Sequence, residues 1–156
     1  MEKIQLYRPA PEELWFRQRL LGDPETMAYN RAYGGTIPFP RERWAPWYER
    51  WVERPEGRFY RYLREVSGGR FVGEAAYHWD DELEEFICDV IVEARYRGRG
   101  YGRQGLALLC EAARDQGVAR LCDNIALDNP SVSLFLSMGF RERLRNGEYV
   151  LVERAL

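Results

Sequence analysis

The spacing of apolar residues along the first half of the chain predicts three helices and then a change to strands. Residues 3–8 alternate weakly and predict a first strand, after which Pro9 and Pro11 open a helix that ends near Gly22. Short helices are predicted at about 24–30 and 41–53. From Arg58 the apolar period becomes two, which indicates a hairpin over 59–66 and 70–79 and a further strand over 85–93.

In the second half, helices and strands alternate. A helix is predicted at about 103–116, followed by a strand within 118–127 and a short helix over 131–138. Two last strands, at about 140–145 and 148–154, turn at Asn146-Gly147. No repeat or linker interrupts this order, so we expect one domain over residues 1–156. The order predicts an α/β fold with a mixed, mostly antiparallel central sheet and helices on both faces.

Composition excludes several classes of protein. Among 156 residues, 23 Lys and Arg stand against 25 Asp and Glu, so no general basic field invites a nucleic acid. No run of about 18 apolar residues exists to span a membrane, and the amino end lacks the apolar segment of a secretory signal. Three cysteines without metal spacing and a lone histidine, His78, predict reduced thiols in the cytoplasm and no metal site.

The most informative segment is a basic, glycine-rich loop between a buried strand and a helix. Glycines at 98, 100 and 102 permit positive φ and let successive N–H groups converge on an anion, and the helix start adds further N–H groups. This pattern predicts a diphosphate site. One interpretation is the dinucleotide fingerprint Gly100-x-Gly102-x-x-Gly105, but a basic run separates it from the strand, and too few βα units follow.

The loop Arg97–Gly102 resembles the Gln/Arg-x-x-Gly-x-Gly/Ala signature of the GNAT superfamily of N-acetyltransferases, and residues 128–140 resemble its second motif. The resemblance is strong over about 70–155 and rests on element order before that. It implies transfer of an acetyl group from acetyl-coenzyme A to a primary amine, by direct attack in a ternary complex. The positions that it assigns to the co-substrate are Val90, Ile91, Val92, Arg97, Gly98, Arg99, Gly100, Tyr101, Gly102, Arg103, Asn129 and Phe135.

Within that assignment, the loop would bind the pyrophosphate and the preceding strand would splay from its neighbour to pair with the pantetheine arm. A backbone N–H of Ile91 or Val92 would polarise the thioester carbonyl. The sequence departs from the family in two places. Asp128 stands where relatives usually have asparagine, so either it or Asn129 contacts the co-substrate, unless Asn129 only caps the helix. Phe135 replaces a tyrosine that protonates the departing thiolate in many members, which leaves water, Ser133 or Ser137 as substitutes.

The reaction also needs a base, because an alkyl ammonium is protonated at pH 7. Glu84 and Glu85 lie where many relatives have a glutamate, and strand alternation lets at most one of them face the substrate. Asp89 shares the parity of Glu85, and His78 is a further candidate. The alternative is that the two glutamates belong to a solvated hairpin end.

The acceptor pocket in this superfamily is framed by the amino-terminal helices, which here are rich in aromatic residues. They are Tyr29, Tyr33, Phe39, Trp44, Trp47, Tyr48 and Trp51. Such a face can hold a flat or cationic ligand, although packing against the sheet explains it equally simply. A small-molecule amine is the first expectation, and a peptide or protein amino group is the second. A non-catalytic sensor that binds acyl-coenzyme A is the alternative. A homodimer is one expected state, because dimers are common among relatives.

Overall fold

Seven strands form one mixed sheet in the computed structural model, which describes residues 2–156 apart from the side chains of Ala32 and Tyr33. The strand order across the sheet is β1-β2-β3-β4-β5-β7-β6. In chain order the strands are β1 Ile4–Tyr7, β2 Arg58–Glu65, β3 Phe71–Asp80, β4 Glu85–Val92, β5 Arg120–Ala126, β6 Arg141–Arg145 and β7 Tyr149–Ala155.

Four α-helices and several short turns of other helix types connect the strands. The α-helices are α1 Trp15–Gly22, α2 Trp44–Tyr48, α3 Tyr101–Asp115 and α4 Ser131–Ser137. A 3₁₀ segment, Thr26–Tyr33, follows α1, and a π turn, Glu49–Glu53, continues α2. None of the helices in the described part of the chain is long and apolar enough to cross a membrane.

Two apolar clusters pack against opposite faces of the sheet. One contains buried residues of α3, including Leu106 and Leu109, together with Phe135 of α4. The other contains Leu20 of α1 and Tyr48 of α2. Successive residues of a strand point to opposite faces, so each central strand contributes to both clusters. The predicted mixed sheet with helices on both faces is therefore confirmed.

Strand β4 has a complete partner on one side and an incomplete partner on the other. It pairs antiparallel with β3 over its whole length, from Glu85 opposite Asp80 to Val92 opposite Gly73. With β5 it forms a parallel ladder of only two residue pairs, Phe86 with Leu121 and Ile87 with Cys122. Beyond those pairs β4 and β5 diverge, and a wedge-shaped gap opens inside the sheet.

The contact between β3 and β4 is unusually close at Gly73. A Cβ atom added there would lie 2.1 Å from the carbonyl oxygen of Ile91, which is backbone and cannot swing aside. The absence of a side chain at this position therefore keeps β4 against β3, on the side away from the gap.

We predict that Gly73→Ala lowers the free energy of unfolding by about 1–3 kcal/mol or more, because the added methyl group forces the two strands apart. Urea unfolding at pH 7 measures this change. Gly147→Ala is the matched control, because nothing lies within 4 Å of a Cβ at that position. Equal stabilities of the two variants would contradict the close approach.

Candidate active site

A cavity of about 800 Å³ occupies the gap between β4 and β5. Residues 89–92 of β4 and 123–126 of β5 form two of its walls, and the glycine loop with the start of α3 forms a third. Residues 128–131 and α4 bound it on one side, and residues 28–31 of the 3₁₀ segment bound it on the other. The cavity thus joins the glycine loop to the amino-terminal helical region.

The backbone of β4 presents alternate peptide groups to this cavity. The Glu93 N–H donates to the Val72 carbonyl at 2.8 Å, which continues the β3–β4 ladder by one residue pair. In an antiparallel ladder alternate residues bond to the same partner, so the Ile91 N–H points to β3 while those of Val90 and Val92 point into the gap. Of the two N–H groups expected to face a thioester, this register favours Val92 over Ile91.

The glycine loop turns the chain from β4 into α3. Gly98 and Gly100 have φ angles of 78° and 83°, a region that residues with a Cβ rarely adopt. Helix α3 then begins at Tyr101, whose hydroxyl donates to the buried Glu65 carboxylate. The first N–H groups of a helix have no acceptor within the helix. Since Gly98, Gly100, Tyr101 and Gly102 all line the cavity, these N–H groups lie at its edge.

The three loop arginines occupy different environments. Arg97 lines the cavity, and its guanidinium donates to the Val92 carbonyl at 3.2 Å and to the Thr26 carbonyl at 2.8 Å. Arg99 is exposed, 5.7 Å from the Tyr96 ring. Arg103 is also exposed and donates to Ser137 Oγ at 2.9 Å. Arg99 and Arg103 do not line the cavity, so Arg97 is the one of these three arginines that does.

The segment that begins α4 also borders the cavity. Asp128 and Asn129 both line it, and the Asn129 Oδ1 accepts the Ser131 N–H at 2.9 Å. The side-chain oxygen of Asn129 therefore accepts a hydrogen bond from the first N–H of α4, as a capping residue does. Phe135 lines the cavity, is buried, and packs edge-on against Phe140 at a centroid distance of 4.9 Å. Its ring has no proton to donate.

The two glutamates expected to supply a base lie away from the cavity. Glu84 is exposed in the β3–β4 turn, with a positive φ of 53°. Glu85 is buried, and its carboxylate forms ion pairs with Arg143 at 2.5 Å and Arg120 at 3.0 Å. Burial alone would raise the pKa of Glu85, but hydrogen bonds from Arg120 and Arg143 outweigh it and leave that pKa below its ordinary value. Neither glutamate lines the cavity between β4 and β5.

Glu85 also belongs to a group of possible metal ligands. Its carboxylate, the Cys122 thiol and the Glu153 carboxylate place ligand atoms within 4.8 Å of one another. Arginines already bond both carboxylates, including Arg141 with Glu153 at 3.2 Å. Burial, followed by the charge of Glu85, raises the pKa of the Cys122 thiol to about 11, so the thiol is neutral at pH 7. Salt bridges account for this group.

The aromatic residues of the amino-terminal region surround a cation of the chain itself. The Arg17 guanidinium lies 4.3 Å from the Trp47 ring, 5.0 Å from Phe39 and 5.2 Å from Tyr60. It also pairs with the buried Glu74 carboxylate at 2.8 Å. These rings are thus packed, whereas Tyr29 lines the cavity and the Tyr33 side chain lies outside the described residues. His78 lies beside Trp51, with ring centroids 5.9 Å apart.

Two carboxyl groups on the cavity wall have strongly altered titration. Burial, and after it the charge of Glu74, raises the pKa of Asp89 to about 7, although solvent reaches this side chain from the cavity. Burial, and after it the charge of Asp89, raises the pKa of Asp123 well above its ordinary value. The sequence makes Asp89 a candidate base, but within the acetyltransferase resemblance it assigns no role to Asp123. The available signal was an acid within the apolar run of a strand, the same signal that marks Asp89.

Comparisons with known proteins agree on one family. The model of the acetyltransferase (GNAT) family matches residues 18–140. An uncharacterised N-acetyltransferase of Bacillus subtilis is 38% identical over 62 residues, which are 39% of this chain and 40% of that protein. This chain therefore matches less than half the length of that relative.

Solved structures share the whole fold at low sequence identity. Spermidine N-acetyltransferase from Vibrio cholerae, in complex with CoA and spermine, is 14% identical with a TM-score of 0.78, covering 97% of this chain and 95% of its own. Ribosomal-protein-alanine N-acetyltransferase from Brucella melitensis is 22% identical with a TM-score of 0.75, covering 97% of this chain and 99% of its own.

We predict that Glu85→Gln lowers the free energy of unfolding by roughly 1 kcal/mol at pH 7, because the neutral side chain pairs less strongly with two half-exposed arginines. The folded-state pKa of Glu85 is depressed, so its stabilisation is present above the ordinary value of 4.5 and is lost as the pH falls through the folded-state pKa. Urea unfolding at pH 7 and at pH 3 measures the difference, which should be smaller at pH 3. Exposed Glu84→Gln is the control and should match the wild type at both pH values.

Proposed function

The chain belongs to the acetyltransferase (GNAT) family, and on that premise we propose that it transfers the acetyl group of acetyl-coenzyme A to the primary amine of a small molecule. The observation that carries this proposal is the gap between β4 and β5, which opens after two residue pairs and ends at the glycine loop. An extended thioester can enter such a gap beside the exposed edge of a strand.

The residues around the gap fit the chemistry of this co-substrate. Loop N–H groups and the first turn of α3 suit a pyrophosphate, because unpaired N–H groups and the positive end of the helix dipole attract anions. The peptide groups of Val90 that face the gap suit the amides of the pantetheine arm. The Val92 N–H suits the thioester carbonyl, where a preorganised donor stabilises the negative charge that develops on oxygen.

The acceptor end of the cavity supports an amine of modest size. Residues 28–31 close that end, and Tyr29 contributes an aromatic wall while Asp89 contributes an acid. Burial, followed by the charge of Asp89, raises the pKa of Tyr29, so its hydroxyl is neutral at pH 7. A neutral aromatic face and a carboxyl group together attract an ammonium ion.

The reaction that we propose is direct attack in a ternary complex. The acceptor nitrogen first loses a proton, since an alkyl ammonium has a pKa of about 10 and carries no free electron pair. The neutral nitrogen then attacks the thioester carbonyl carbon, and the carbon–sulfur bond breaks. Both protons that the nitrogen loses need acceptors, and one of them offsets the proton taken up by the departing thiol.

A panel of amines scored by thiol release tests the proposal. Polyamines, amino sugars and amino acids represent small acceptors, and short peptides with free amino termini represent protein acceptors. Steady thiol release with small amines, and little with peptides, is the expected result. Faster transfer to peptides would favour a protein amino group, and tight coenzyme binding without release from any amine would favour a sensor.

We predict that Gly102→Asp raises the Kd for acetyl-coenzyme A about 100-fold, because a carboxylate in the first turn of α3 repels the pyrophosphate. The same charge favours the helix dipole, so folding should not suffer. Isothermal titration calorimetry measures the affinity. Gly102→Asn is the matched neutral control and should lose tenfold or less, whereas an unchanged Kd in the Asp variant would place the pyrophosphate elsewhere.

A further inference from the structure

Two carboxyl groups border the gap immediately beyond the last pairs of β4 and β5. Asp89 follows Ile87 by two residues, and Asp123 follows Cys122 by one. Both line the cavity. The two strands no longer form hydrogen bonds with each other at this level. The two acids therefore lie on opposite sides of the gap, Asp89 on β4 and Asp123 on β5.

The two acids lie towards opposite faces of the sheet. Asp89 shares its parity with Ile91, which belongs to the cluster under α1 and α2. Asp123 shares its parity with Leu121 and Ile125, which belong to the cluster under α3 and α4. Asp89 therefore faces the acceptor end of the cavity, and Asp123 faces the side where Phe135 lies.

The pKa values of both acids are raised, and the causes differ between them. Around Asp89, burial and the charge of Glu74 raise its pKa to about 7, while the charge of Arg17 opposes them. Around Asp123, burial and the charge of Asp89 raise its pKa well above the ordinary value of an aspartate, despite a hydrogen bond from the Asn124 backbone. An ionised Asp89 therefore favours the protonated form of Asp123.

Three further titratable groups near the pair are neutral at pH 7. They are Tyr29 of the 3₁₀ segment, Tyr60 of β2, which donates to Glu74 at 2.8 Å, and Cys88 of β4. Burial is the first cause that raises the pKa of each of them. Among charged groups, the Arg17–Glu74 ion pair acts on Asp89, and Arg31 and Arg97 line the same cavity.

We propose that Asp89 is the general base of the transfer and that Asp123, as a neutral carboxylic acid, protonates the leaving sulfur in place of the tyrosine that Phe135 replaces. This inference rests on the proposed acetyl transfer. Two carboxyl groups held in different protonation states on the two sides of a reacting centre are the arrangement that acid–base catalysis requires.

The proton and electron balance of the step is as follows. The Asp89 carboxylate accepts one proton from the ammonium, and the nitrogen electron pair then forms the bond to the carbonyl carbon. The carbon–sulfur bond breaks, its electron pair leaves with sulfur, and Asp123 donates a proton to that sulfur. The second proton lost by nitrogen restores Asp123, and Asp89 releases its proton to water. One proton is released for each ammonium ion acetylated.

We predict that Asp123→Asn lowers kcat about 10- to 100-fold and leaves the Kd for acetyl-coenzyme A within threefold, because only the proton donor is lost. Adding Phe135→Tyr to this variant should restore kcat to within about threefold of the wild type, since a phenol then lies on the same side. Exposed Asp115→Asn on α3 is the control for loss of an acid. Unchanged kcat in Asp123→Asn, or a loss that Phe135→Tyr does not restore, overturns the acid role.

The pH dependence of kcat in the wild type supplies an independent check that needs no folded Asp123 variant. We expect kcat to fall at the alkaline end of the profile, because only a protonated carboxyl group can donate to the sulfur. A kcat that stays constant to the highest pH at which the protein remains folded overturns the assignment of Asp123.

We predict that Asp89→Asn lowers kcat/KM about 100-fold or more at pH 7 and that the loss shrinks as the pH approaches the pKa of the acceptor amine. At that pH free amine is abundant and needs no base. Phe135→Tyr should not rescue this variant. A loss independent of pH, or rescue by the tyrosine, would contradict the base role of Asp89.

Failure of the proposed function is distinguishable from failure of this inference. If the wild type transfers acetyl to no amine, the acetyl transfer fails, and carboxyl-carbon NMR of the coenzyme-bound protein then tests the pair directly. Two aspartate signals that both titrate well above the ordinary range of an aspartate, assigned by Asp89→Asn and Asp123→Asn, support the paired arrangement. Two ordinary acidic titrations overturn it.

Discussion

The divergence of β4 from β5 is the constraint on which the rest of the site depends. A sheet normally pairs every peptide group of a central strand, yet here the parallel ladder ends after Ile87 and Cys122. The peptide groups of Val90 and Val92 that would have continued the ladder face a cavity instead. Arg97 donates to the Val92 carbonyl and to the Thr26 carbonyl, and so ties the glycine loop to β4 and to the 3₁₀ segment. The binding site is thus a place where hydrogen bonding of the sheet is left incomplete.

Packing on the two faces of the sheet keeps this gap open. Gly73 lets β3 approach β4 so closely that β4 follows β3 rather than β5. On the opposite face, Gly105 of α3 lies where a Cβ would contact Leu63 at 2.9 Å and Val90 at 3.2 Å, so the helix that follows the loop rests directly on the sheet. The strand edge and the helix start are consequently held at a fixed separation, as an extended ligand with an anionic end requires.

Electrostatics around the gap divides the cavity into two parts. The loop end holds N–H groups, a helix start and Arg97, all of which favour an anion. The strand end holds Asp89 and Asp123, and the Arg17–Glu74 ion pair lies behind Asp89. The Arg17 guanidinium lies against the rings of Phe39, Trp47 and Tyr60 and occupies the space between them. A ligand cannot enter there, and the space open to it is the cavity that Asp89 and Asp123 line.

The sequence by itself determined the elements and the loop, because these depend on local causes. Apolar periodicity predicted the strands and helices to within a few residues, and the alternation of Gly98, Gly100 and Gly102 marked a backbone built for an anion. The tertiary structure alone decided which acids meet the cavity. Glu84 and Glu85 carried a local signal, but partners from other strands, Arg120 and Arg143, bind Glu85. Asp123 lines the same cavity as Asp89 only because β4 and β5, which are distant in sequence, pair over two residues and then diverge. Desolvation and charge–charge repulsion act through space, so the pKa values of these acids follow from neighbours that no local pattern reveals.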